Sequence, residues 1–246
     1  MDSASIFLWG VKSVLALHEL PELRQLSVYA RNCLSGFLAH SEVTQALREM
    51  PSGAHAVLIY DSKENKRDVL FNHLKMGIDT DGLIYACSEE SPQSIRHELE
   101  STGVDVDILE EKGILSVKNY DEVYIIDGKV NTPRLIAGFS DLAWRYSQKG
   151  LKGIRAAAEM SCFFKERKVE ELVAYEKALH RNLSFPARGL CGYNLVEMGN
   201  SGNLDVLWPI LKAHSLVIMT GPSGSFALEP EAISDARIEK TMGTTV

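Results

Sequence analysis

Cysteine is scarce in this chain: Cys33, Cys87, Cys162 and Cys191 stand far apart, with no CxxC pair among them. The scatter argues against a disulfide framework and against paired-cysteine zinc modules. The apolar neighbours of Cys87, Cys162 and Cys191 suit buried thiols in a reducing compartment instead. No basic tract stands out, and a formal charge of −7 opposes direct contact with nucleic acid. No hydrophobic run is long enough to span a bilayer. Residues 6–17 are interrupted by Gly10, Lys12 and Ser13 and lack the basic start and cleavage site of a signal peptide. A cytoplasmic protein without a membrane segment is the expectation. Internal repeats, low-complexity tracts and a GxSxG nucleophile elbow are also missing. The most telling absence is glycine in one loop, residues 61–66.

What is present is an alternation of apolar runs and amphipathic stretches. With 246 residues, 45% of them hydrophobic, the chain can bury a large core. Residues 55–60 (HAVLIY) read as a buried strand, 61–66 as a polar loop, and Val69, Leu70, Phe71, Leu74 and Met76 as a helix closed by Gly77 in a C-cap role. A second strand follows at 83–87. Ser91-Pro92 opens a helix that Gly103 ends, 114–117 is a third strand, and Asp127-Gly128 marks a small hairpin. Pro133 opens a helix through Gln148. Residues 153–164 read as a central strand, 169–183 as a helix, 189–196 as a strand, 204–212 as a helix and 214–219 as a last strand. Such spacing predicts an α/β fold with a mainly parallel sheet and helices on both faces. Residues 1–50 read as a helical extension with an apolar stripe, 51–228 as the domain, and 229–246 as a polar tail.

Several residues invite a chemical reading. Set on GxxxxGK[ST], the stretch 60–67 keeps Lys66 but has Tyr60 and Asn65 at the glycine positions and Arg67 in place of the hydroxyl. Without glycines the backbone amides cannot converge on phosphates, and Asp61 and Glu64 add charge of the wrong sign. Glu89-Glu90 ends the second strand, where a carboxylate could activate water beside a phosphate or else be solvated. Period-two alternation puts Arg155, Ala157, Glu159 and Ser161 on one face of the central strand. Arg155 and Glu159 should be at least partly buried, hence paired or facing a polar cavity. Glu176 falls inside the stripe of Val169, Leu172, Val173, Leu179 and Leu183, and Arg155 is its expected partner. His55 and His214 begin strands, where a satisfied structural histidine is the ordinary role, and Cys191 and Tyr193 lie within one. Gly221-Pro222-Ser223-Gly224-Ser225 reads as a turn.

These residues resemble a known family. The run from VLIYDSKENKRDVLF to STGVDV is similar to the start of KaiC-like members of the RecA superfamily, with only the phosphate loop missing. Closer is the resemblance to the MEDS domain, named for methanogen/methylotroph and DcmR sensory proteins. It is carried in order by His55 and its strand, Gly77, Gly153-Ile154-Arg155 with Glu159-Met160, Tyr175-Glu176, Leu190-Cys191-Gly192-Tyr193 and His214. The chain departs at Ala158, where the family pattern has glycine, and at Cys162, where an aromatic is usual. The resemblance implies a RecA/KaiC-like three-layer architecture and a sensory module for small, hydrocarbon-derived ligands that regulates a partner. From the residue pattern the ligand-binding set is His55, Arg155, Glu159, Glu176, Cys191 and Tyr193, at the C-terminal ends of the strands, with no metal and no cofactor. Output would pass to a protein partner or through a homo-oligomer. Two alternatives stand: an atypical ATPase using Lys66, Glu89 and Glu90, and an interaction module whose cleft is filled by its own side chains.

Overall fold

The computed structural model describes residues 40–221 and 224–229. Residues 1–39 of the expected N-terminal extension, the middle of the 221–225 turn, and the tail beyond residue 229 lie outside the described residues.

Seven strands form one sheet in the order β3-β2-β4-β5-β1-β6-β7. They are β1 (His55–Tyr60), β2 (Gly82–Cys87), β3 (Leu115–Asn119), β4 (Ile154–Glu159), β5 (Ala187–Asn194), β6 (Leu216–Gly221) and β7 (Gly224–Leu228). The first six run parallel, and β7 pairs antiparallel with β6 along the edge. Each central strand is buried on both sides, which is why they read as continuous apolar runs.

One face of the sheet carries α1 (His40–Glu49), α2 (Lys63–Lys75), α3 (Pro92–Ser101) and α4 (Val106–Glu111). These pack Leu47, Leu70, Leu74, Ile95 and Val106 against Leu58, Tyr85 and Ala157. The opposite face carries α5 (Tyr120–Val123), α6 (Thr132–Gln148), α7 (Cys162–Lys165), α8 (Val169–Leu179), α9 (Leu195–Asn200) and α10 (Leu207–Lys212). Here Phe163, Leu172, Tyr175 and Ile210 meet Val57, Ala158 and Cys191. The three-layer α/β architecture is as the alternation predicted.

Local differences have physical reasons. Residues 63–66 belong to α2 rather than to a loop, because Ser62 caps the helix by accepting a hydrogen bond from Asn65 N at 3.3 Å. Gly77 does not occupy the left-handed conformation of a C-cap. Its function is space: a Cβ there would lie 2.9 Å from Arg155 Cδ. The central strand stops at Glu159, and residues 162–165 turn into α7. The expected hairpin reduces to a bridge between Ile126 and Lys129 around Asp127 and Gly128, both at positive φ.

Candidate functional site

The short connection after β1 sets the chemistry of the sheet's C-terminal end. Only Asp61 and Ser62 separate β1 from α2, too little chain to wrap a polyphosphate. Lys66, in the first turns of α2, is fully buried, and its ammonium lies 2.6 Å from Glu159 Oε1, 3.2 Å from Glu89 Oε2 and 3.2 Å from Glu90 Oε1. Glu159 also accepts from the Tyr85 hydroxyl at 2.8 Å and from the amides of Ser88 and Glu89 at 2.7 and 2.6 Å. Ser161 Oγ, at 2.6 Å, and the Tyr60 hydroxyl both donate to Glu89. Glu90 takes Arg67 and Lys63. Burial pushes the Glu90 carboxyl up, but the hydrogen bonds from Arg67 and Lys63 outweigh it and hold it at about 2. Burial pulls Lys66 down, yet Glu159 and Glu89 raise it above its ordinary value. The Glu89-Glu90 pair, only partly exposed, is therefore engaged by protein cations and hydroxyls, and this crevice is filled by the protein's own charges.

Arg155 is buried, but its partner is not Glu176. Arg155 Nε lies 3.3 Å from Asp81 Oδ2, and its Nη1 donates to the carbonyls of Leu47 and His73 at 3.3 and 3.4 Å. Asp81, 1% exposed, also takes Arg188 Nη1 at 3.2 Å. The sheet itself stands between Arg155 and Glu176, because Arg155 points to the α1/α2 face and Glu176 comes from α8 on the other. Arg155, Glu159 and Glu176 thus form no common wall. They belong to three separate clusters.

Four of the six expected site residues do converge, on the α8 face near the start of β1. His55 opens β1, and Cys191 on β5 pairs in register with Val57, so both side chains face α8. Glu176 reaches in from α8, and the hydroxyl of Tyr193 donates to its Oε1. His214, which precedes β6, completes the group, with its ring centroid 4.0 Å from that of His55. His55 Nε2 lies 3.3 Å from Glu176 Oε2 and 3.4 Å from Cys191 Sγ, and His214 Nε2 lies 3.4 Å from the same Glu176 oxygen. The ligating atoms of His55, Glu176, Cys191 and His214 all fall within 4.8 Å of one another. Every member is buried. Burial lowers His55 to about 4 against the opposing hydrogen bond to His180, and lowers His214 well below its ordinary value with help from His55. Burial raises Glu176 to about 7, despite hydrogen bonds from Tyr193 and Cys191. It also raises the Cys191 thiol, with the Glu176 charge adding to the effect.

A small cavity of about 40 Å³ adjoins this cluster, lined by His55 and Cys191 with Ala156, Ala158, Tyr124 and Phe139 among its walls. A water needs roughly 10–15 Å³ measured this way, so the space suits a molecule of a few heavy atoms. Tyr124 and Phe139 also line an outer cleft of about 440 Å³ between β2, β3 and α6. Ile84, Leu135 and Leu142 give it an apolar floor, and Lys118, Lys129 and Arg134 stand on its walls. Two aromatic side chains are common to the cleft and the buried polar cluster's cavity. Arg155 and Glu159 line neither space.

Sequence reasoning weighs His214 only as a structural histidine, outside the ligand-binding set, and does not name Asp81. Buried acids and histidines at strand starts are visible in a sequence, but which strands adjoin is not, and adjacency assigned their partners.

Comparison with known proteins places this geometry in a family. The model described as MEDS, the methanogen/methylotroph, DcmR sensory domain, matches residues 54–208, well over half of the chain. No curated protein matches. Among solved structures, an uncharacterised protein of Pyrococcus horikoshii in complex with an unknown peptide is similar at 16% identity, with 78% of this chain and 91% of that one covered and a TM-score of 0.51. A KaiC-like protein of Pyrococcus horikoshii OT3 is similar at 14% identity over 69% of this chain and 72% of that one, with a TM-score of 0.44. At such identities the likeness concerns the fold.

Proposed function

The chain belongs to the family of MEDS sensory domains, and on that premise we propose that it is a non-catalytic domain that senses a small organic molecule and signals through a protein partner or a second copy. The observation that carries this reading is the pairing of a cleft with an apolar floor and a small, mainly apolar cavity that shares Tyr124 and Phe139 with it and reaches His55 and Cys191. The cleft volume lies within the roughly 300–1,000 Å³ of small-molecule sites. Its floor offers apolar burial, and its walls carry both signs of charge, Lys118, Lys129 and Arg134 beside Glu122 and Asp127, which suits a polar end on the ligand. The inner cavity, with His55 and Cys191 on its wall, offers space to a molecule small enough to pass the two rings.

Nucleotide hydrolysis is disfavoured on electrostatic grounds. A polyphosphate beside Glu89, Glu90 and Glu159 would have to strip Lys66 from all three carboxylates.

The test is a thermal-shift screen of short-chain alcohols, halogenated hydrocarbons and small carboxylic acids beside ATP with magnesium. Binding to the native state raises the melting temperature, by about 2.7 kcal/mol in stability at a hundred times Kd. Gly138 supplies the control: it lines the cleft, and a Cβ there would meet nothing within 4 Å. Gly138→Leu fills the cleft from a helix interior, and losing the glycine should itself stabilise the free protein by about 0.5–1 kcal/mol. The expected result is a shift with an organic compound that vanishes in Gly138→Leu while that variant melts no lower than the parent. A shift with ATP alone, or an organic response indifferent to this substitution, sinks the reading.

A further inference from the structure

The buried cluster on the α8 face brings four potential metal ligands within 4.8 Å of one another. We propose that His55, Glu176, Cys191 and His214 bind one zinc-class transition-metal ion through Nε2, a carboxylate oxygen, Sγ and Nε2 respectively. The proposal does not depend on whether the neighbouring cavity takes an organic molecule.

The argument begins with the two imidazoles. His55 Nδ1 lies 3.0 Å from the carbonyl oxygen of His180, and His214 Nδ1 lies 2.7 Å from that of Ile210. A carbonyl only accepts, so each Nδ1 carries the proton and donates. In a neutral ring each Nε2 then presents a lone pair. Backbone carbonyls that hold Nδ1–H are also the usual outer support of metal-binding histidines, fixing both tautomer and ring direction.

Both Nε2 atoms lie close to the same carboxylate oxygen. Glu176 Oε2 and His214 Nε2 are fully buried and have no hydrogen-bond partner among the described residues, although they lie only 3.4 Å apart. His55 Nε2 has the Cys191 thiol at 3.4 Å, whereas Glu176 Oε2 and His214 Nε2 stand together with no proton between them, a need that a cation would meet. Tyr193 engages the other Glu176 oxygen and leaves Oε2 turned inward.

The spacing fits. Arms of about 2.0–2.3 Å in a tetrahedron give ligand-to-ligand edges near 3.4 Å. Three of the six edges are 3.3, 3.4 and 3.4 Å, and the other three reach no farther than 4.8 Å, a spread that a small closing of the side chains would take up. Two imidazoles, one thiolate and one carboxylate suit zinc or a neighbouring late first-row ion, whereas magnesium and calcium prefer an all-oxygen shell. With Cys191 and Glu176 ionised, a divalent ion would leave the buried site with no net charge, which answers the cost of burying its members singly. No spacing rule collects these ligands, because they come from β1, α8, β5 and the turn before β6. That is why the absence of CxxC pairs argued against zinc.

The experiment uses the full chain, stripped of metal with a chelator and then titrated with zinc and with cobalt. One equivalent should bind, raise the melting temperature and, with cobalt, give the intense visible bands of a tetrahedral site and one thiolate charge-transfer band. Cys191→Ser should abolish the charge-transfer band. His214→Gln should weaken zinc by more than about tenfold, the least that even a supporting partner contributes. Glu176→Gln, which keeps the side-chain shape, should do the same. Absence of a stoichiometric ion in the wild-type titration overturns the proposal, even if the variants fail to fold. Zinc affinity unchanged in folded Cys191→Ser and His214→Gln also overturns it, since the ion would then sit elsewhere. Magnesium in place of zinc should leave the melting temperature unmoved, and an equal response to both ions counts against a nitrogen–sulfur site.

Discussion

Lys66 shows how one side chain can close off a chemistry. In the resembled phosphate loop a lysine at this point would face polyphosphate. Here it is 0% exposed and spends its charge on Glu159, Glu89 and Glu90. Removing one member of a buried ion group leaves the others charged and unpaired, which costs about 3–5 kcal/mol. Lys66→Met should therefore lower the unfolding free energy by that amount in a denaturant titration. Glu159→Gln should cost less than the lysine variant, because Lys66 keeps Glu89 and Glu90. If Lys66 instead served a nucleotide, Lys66→Met would abolish ATP binding and leave stability nearly unchanged. Arg155 teaches the complementary lesson. Its burial was legible from strand periodicity, but its partner was not, since Asp81 sits in a turn that the sequence gives no reason to bring beneath it.

At the scale of elements, Arg155 and Arg188 act on α1. Arg155 donates to Leu47 O and Arg188 Nε donates to Met50 O at 2.8 Å, so two guanidiniums satisfy carbonyls at the C-terminal end of that helix. Asp81 holds both arginines in place. Asp81→Asn keeps the shape but removes the countercharge. It should destabilise the fold by a few kcal/mol and speed amide exchange in α1 more than in α3, as hydrogen-exchange mass spectrometry can measure. Equal exchange in the two helices would refute a specific clamp on α1. The elements themselves were largely readable. β1 and β2 announced themselves as continuous apolar runs, and Ser91-Pro92 fixed the start of α3. The short helices α4, α5, α7 and α9 were not seen, because four to six residues give too little periodicity to register. Strand parity puts His55, Cys191 and Tyr193 on the face that the α8 stripe covers, where they meet Glu176, a grouping that the sequence reading builds around Arg155 instead. The separation of Arg155 and Glu159 from them follows from the same parity, since β4 sends them to the other face.

Across the whole molecule, buried neutral histidines and paired carboxylates set how stability answers to acid. His73 on α2 is fully buried, and burial together with the nearby Arg155 charge lowers it to about 3. Its unfolded value is the ordinary 6.5, so between those two values the unfolded chain binds the proton and the folded one does not. Stability contributed by the neutral ring is therefore full above about 6.5 and drains as pH falls toward 3. Each pKa unit is worth about 1.4 kcal/mol, which makes this one residue's share on the order of 3–5 kcal/mol by pH 3. Glu90 works in the same direction over a lower window. Its folded value of about 2 stands against 4.5, so its contribution is present above 4.5 and is lost as pH falls through about 2. Standing at the rim of its cluster, it adds less than its shift suggests. Against a total of roughly 5–15 kcal/mol, the histidine term alone can bring the native state near its limit in mild acid. Glu176, raised to about 7, opposes this between about 7 and 4.5, but the three buried histidines outweigh it. Urea titrations from pH 7.5 to 3.5 should therefore show a net fall that begins below 6.5, while Glu90 is still ionised. In His73→Gln that early slope should shallow while the loss below 4.5 remains. A His73→Gln profile that falls between 6.5 and 4.5 as steeply as the wild type would mean that His73 titrates normally and is not held neutral in the core.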